Sequence, residues 1–180
     1  VMMNHCDDLQ ISSRLYLYVI LRKVMLDFDL NDRALTDYLA EMLTIYLHST
    51  KLQRPAVKLH PMGYLFNLTK RLRAADPADH FPIRVHIGNY ALFLLGVHPE
   101  RLRSRSRATA TPKISFVETL GVNNLVAAAR CERAERMGLS PILCRIAQNF
   151  RKIRLVLNLM AEHEVFQREE EATNREWLLT

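Results

Sequence analysis

Apolar residues recur at helical spacing along almost the whole of this 180-residue chain, and that period leaves packed helices as the fold it can adopt. Leu35, Tyr38, Leu39, Met42, Ile45 and Tyr46 follow i, i+3, i+4 spacing and give one segment a single apolar stripe. Ile142, Ile146, Phe150, Ile153, Leu157 and Met160 form a second stripe, with Arg151, Arg154, Asn158 and Glu162 turned away and the polar Asn149 inside it. In two stretches, Leu15 to Leu21 and Ile83 to Leu95, apolar residues occupy nearly every side, the pattern of helices surrounded by others. No alternating run long enough for a sheet is present, and no internal repeat.

Start and stop signals place the boundaries. A helix is predicted from Asp8 to about Leu26, and a short link, Asp27 to Leu30, leads to a second that Asn31 should cap, so the two should form an antiparallel hairpin. Pro61, Pro77, Pro112 and Pro141 suit first helical positions, where the missing amide hydrogen has no partner to lose. Gly96 and Gly138 follow periodic segments and suit helix ends. Helices are therefore predicted near 61–74, 79–95, 112–137 and 141–166, with a shorter one to the C-terminus; Gly121 marks a point where the third could break. The expectation is an all-α fold, one compact domain over 1–180 of six to seven helices, orthogonal or bundle-like, with a basic loop near 99–111.

Composition narrows the class. Half of the chain is hydrophobic (49%) while Gly and Pro are few, which sets disorder and low-complexity sequence aside. The longest apolar runs, Leu15 to Leu21 and Ala91 to Val97, fall far short of the roughly 20 residues a membrane span needs. Cys6, Cys131 and Cys144 are odd in number and widely spaced, so neither a disulfide framework nor a zinc knuckle is indicated. With no basic-then-apolar leader at the N-terminus, a cytoplasmic setting is expected. Charge is uneven: residues 1–50 carry four basic and seven acidic groups, residues 51–113 twelve and three, and residues 114–180 nine of each. A basic middle of this kind attracts acidic partners.

The candidate site residues form two groups. Arg101, Arg103, Arg105 and Arg107 alternate through the basic loop and have the spacing to contact phosphates, although no aromatic residues are interleaved and a solvated loop explains the same letters. Arg84, His86 and Asn89 are polar positions on the otherwise apolar 79–95 helix, and Asp79 lies two turns before His86 on nearly the same face. Buried polar groups must find partners, so an internal network that fixes helix register is the simpler reading; a pocket with His86 as acid, base or ligand is the sharper one. His60, His80, His86 and His98 share one stretch, but no His-Glu-x-x-His or carboxylate-bridged pattern accompanies them, so no metal and no cofactor is expected. Nucleophile elbows and glycine-rich phosphate loops are likewise missing from the sequence.

The run His86-Ile87-Gly88-Asn89-Tyr90-Ala91-Leu92-Phe93-Leu94-Leu95-Gly96-Val97-His98-Pro99-Glu100 resembles a motif of an uncharacterised all-helical bacterial protein family, in which Gly-Asp precedes Leu-Phe, then Gly, then Pro-Glu. Asn89 stands where that family has the acid. Phe116-Val117-Glu118-Thr119-Leu120-Gly121 is similar to its next segment, so the resemblance covers about residues 84–130. It implies an all-helical fold and carries over no site residue. The function expected is non-enzymatic: binding another protein or a second copy, with nucleic-acid binding through the basic middle, and small-molecule binding or catalysis around the polar cluster, as alternatives.

Overall fold

The computed structural model describes residues 5–52, 61–102 and 114–162. Among them are eight helices and no strand: α1 (His5–Asp27), α2 (Arg33–Leu52), α3 (Pro61–Ala74), α4 (His80–Val97), α5 (Ile114–Ala129), α6 (Glu132–Arg136), α7 (Ser140–Gln148) and α8 (Phe150–Met160). Single 3-10 turns precede and follow α4, at Pro77–Asp79 and Pro99–Leu102. No helix among the described residues is long and apolar enough to cross a membrane.

α4 is the central element, as its all-round apolar sequence requires. Ile83, Ile87 and every residue from Ala91 to Val97 are buried, because α5, α8, α3 and α2 each cover part of its circumference. α1 and α2 pair as the expected hairpin, α1 also resting on α8 and α2 on α7. The all-round apolar run in α1 has a different outcome. Leu17, Leu21 and Met25 are buried, but Leu15 and Val19 are 62% and 57% exposed, since among the described residues α2 and α8 are the main elements packed on this outer helix. Ile45, assigned to the α2 stripe by spacing, is likewise 60% exposed.

Both predicted long helices of the second half are divided. The 112–137 segment stops at Arg130 and Cys131, not at Gly121, and α6 follows as a separate turn. Gly121 instead lies inside α5, where a Cβ would sit 2.9 Å from the Ala91 Cβ and 3.0 Å from the Phe150 ring. Its lack of a side chain brings α5, α4 and α8 together. Gly96 stands in the last turn of α4 but does not take the left-handed closing conformation; its role is close packing, since a Cβ there would meet the Leu157 Cβ at 2.7 Å. Gly138 does take the left-handed conformation, φ 67°, and closes α6. The 141–166 segment is split at Asn149 (φ −107°, ψ 18°), which separates α7 from α8.

The α1–α2 turn shows how local chemistry sets this geometry. Asp29 adopts a positive φ of 58°, tolerated by Asp, while the Leu30 and Asp29 amides donate back to the Met25 and Leu26 carbonyls. Leu30 and Met25 are both buried, the apolar contact that accompanies this closure. Asp32, one residue beyond the expected cap, is the N-cap of α2: its Oδ1 accepts from the Leu35 amide at 3.0 Å, and its Oδ2 pairs with Arg145 of α7. Asn31 accepts from Arg22 instead. Asp32→Ala is therefore expected to lower stability by about 1–2 kcal/mol in urea unfolding, the usual worth of a lost N-cap. Asp32→Asn keeps the cap and should cost less; equal losses would contradict the cap assignment.

Candidate functional site

The polar residues of α4 radiate to different neighbours, as their spacing around the helix dictates. Arg84 points towards α5, where its Nη1 lies 3.4 Å from Asn124 Oδ1; buried Asn124 donates in turn to the Leu120 carbonyl at 2.9 Å. Asn89 faces α2, its Nδ2 donating to the Tyr38 hydroxyl at 2.8 Å, while its Oδ1 is buried without a partner. His86 faces α2 and α3. Asp79 precedes α4 in the 3-10 turn and shares only the His86 side. The four residues thus divide into two register-fixing contacts and one groove.

His86 is clamped by two tyrosines that its own helix does not supply. The Tyr46 hydroxyl of α2 lies 3.2 Å from Nδ1, and the Tyr64 hydroxyl of α3 lies 2.8 Å from Nε2. In either neutral tautomer one hydroxyl donates and the other accepts, so both ring nitrogens are engaged. Around the clamp, Tyr46 stacks on Phe93 with centroids 4.9 Å apart, and Tyr64 meets Tyr90 edge-on at 4.8 Å. Burial raises the pKa of Tyr46, and also that of Tyr38, so both phenols stay protonated. Tyr64 is 37% exposed and forms the outer half of the clamp.

Beside His86 lies a groove of about 290 Å3 lined by Leu68 and Arg71 from α3, Ala75 just after it, Asp79 from the 3-10 turn, and Pro82, Ile83 and His86 from the start of α4. Its walls are two helical stripes. Tyr64, Leu68, Arg71 and Ala75 recur at i, i+4, i+7, i+11; Asp79, Ile83, His86 and Tyr90 do the same. The volume is at the lower limit of ligand sites, and the mixture of apolar floor and few polar groups is typical of them.

Burial, and secondarily the charge of Arg71, holds the His86 imidazole below its ordinary pKa. The folded chain therefore resists a proton that the unfolded chain accepts near pH ~6.5. Stability should consequently fall as pH drops from about 7 through that value, the decline ending below the depressed folded pKa. In His86→Gln this component disappears, which urea midpoints compared across the same pH range will show. A wild-type decline no steeper than the variant's would contradict the burial of a neutral imidazole.

The remaining candidates lie elsewhere. His80 Nε2 is 3.1 Å from the Ala75 carbonyl, and His98 sits edge-on to Phe93; no three His, Cys, Asp or Glu side chains converge among the described residues. Arg101 belongs to the 3-10 turn Pro99–Leu102, whereas Arg103, Arg105, Arg107 and His60 fall outside the described residues. Sequence spacing missed Tyr46, Tyr64 and Arg71, the residues that surround His86. Tyr46 looks like one more apolar position in the α2 stripe, and only the i, i+4, i+7 flank of α3 could have pointed to the other two. No family model, no curated protein and no solved structure matches this chain.

Proposed function

We propose that this chain is a non-enzymatic, cytoplasmic helical protein that acts by binding another macromolecule, an acidic protein segment, on the outer flank of α3. The observation that supports it is two unneutralised cations set beside an exposed aromatic. Lys23, Arg33 and Lys152 also lack a carboxylate partner among the described residues but have no such neighbour in their row, and several other cations are paired. Arg14 pairs with Asp37 and Glu41, Arg145 with Asp32, Arg136 with Glu132, and Arg151 and Arg154 share Glu118. Lys70 and Arg73, at the end of α3, have no carboxylate partner among the described residues. With Phe66, 44% exposed, they make an i, i+4, i+7 row on the surface. An exposed aromatic beside two unpaired cations fits a segment carrying both carboxylates and an apolar side chain.

His86 offers no free nitrogen for acid–base work while its clamp is closed, which favours binding over catalysis. Fluorescence anisotropy with a peptide of alternating Glu and Leu, and separately with a DNA oligonucleotide, tests the reading. The peptide should bind, with affinity falling as salt rises, and Lys70→Glu with Arg73→Glu should weaken it by about tenfold or more. Preference for the oligonucleotide, indifference to the double substitution, or no binding of the peptide would overturn it.

A further inference from the structure

The opposite flank of α3 carries a different arrangement. Arg71 and Asp79 line the same groove from different elements, one from α3 and one from the turn before α4, yet they do not pair with each other or with another charged side chain among the described residues. Between them lies an apolar floor of Leu68 and Ile83, both buried, with Ala75 and Pro82 beside it. His86 closes one end as a neutral ring, so it adds no third charge.

The geometry points to this groove as a binding site for a small zwitterion of the amino-acid class, its carboxylate on Arg71, its ammonium on Asp79 and its apolar body on Leu68 and Ile83. A simple anion would gain Arg71 but face the Asp79 carboxylate, and a simple cation would meet the reverse penalty. Only a ligand with both charges satisfies both walls. Guanidinium suits the carboxylate because it presents two parallel donors. The apolar contact favours a leucine-like side chain, and the volume leaves room for little more.

Leucine, 4-methylpentanoate and isoamylamine form the test set, since the last two each lack one charge on a closely similar body. Titrations followed by NMR at the Ile83 methyls and the His86 ring should show leucine binding about tenfold tighter than either. Arg71→Gln should erase the advantage of leucine over isoamylamine only, and Asp79→Asn its advantage over 4-methylpentanoate only. Equal binding of all three compounds, no shift at Ile83 or His86, or loss of both advantages in either single variant would overturn the assignment. Neither variant alters Phe66, Lys70 or Arg73, so the acidic peptide measures the outer flank independently.

Discussion

Phe150→Ala is expected to lower the unfolding free energy by about 3–5 kcal/mol. Phe150 opens α8, is buried, and lays its ring against the bare Cα of Gly121 on α5, beside Ala91 of α4. Removing the ring forfeits its transfer free energy and leaves a void at a three-helix junction, where backbones already in close approach have little freedom to collapse. Gly121→Ala separates the parts of this contact. In the wild-type background the new methyl meets both Ala91 and the ring, and the overpacking cost of about 1–3 kcal/mol outweighs the roughly 1 kcal/mol that Ala gains in a helix. In the Phe150→Ala background only the Ala91 contact remains, so the same change should cost about 1 kcal/mol less. Urea unfolding of the four proteins measures this coupling. Additive losses would mean that Gly121 and Phe150 do not share one contact.

Where helices lie was legible in this sequence; how they meet was not. The stripes of α2 and α8, the all-round apolar α4 and the proline starts at Pro61 and Pro141 are local statements, and local propensity decides them. The division at Asn149 escapes notice because its carbonyl still accepts from Ile153 and its amide still donates to Arg145. The apolar stripe runs through the kink with its period intact. Glycines were misjudged for the converse reason: at Gly96 and Gly121 the missing side chain answers to a partner helix, and a single sequence carries no trace of that partner. The His86 clamp has the same character. Its two tyrosines lie 40 and 22 residues away in sequence, and each is unremarkable in its own stripe.

Asn158→Asp is expected to cost about 2–4 kcal/mol at neutral pH, although the two side chains are nearly the same size. Asn158 of α8 donates through Nδ2 to the Leu95 carbonyl at 3.1 Å and the Gly96 carbonyl at 2.6 Å, at the C-terminal end of α4. The Leu95 carbonyl has no donor from its own helix, because four residues on stands Pro99, which lacks an amide hydrogen. Asn158 fills that gap and does so from a facing helix, which the close approach at Gly96 permits. A carboxylate there removes both donated bonds, about 0.5–1.5 kcal/mol each, and places negative charge against two carbonyl oxygens at the negative end of the α4 dipole. The new carboxyl titrates above its unfolded value in the folded chain, so its charge penalty is present above the folded pKa and shrinks as pH falls towards about 4. As a protonated acid it can again donate one bond. Asn158→Leu supplies the control, since it loses the donors without adding charge, and its deficit should not vary with pH in this range. A pH-independent deficit in Asn158→Asp would show that the side chain swings out to solvent and that α4 keeps its end without it.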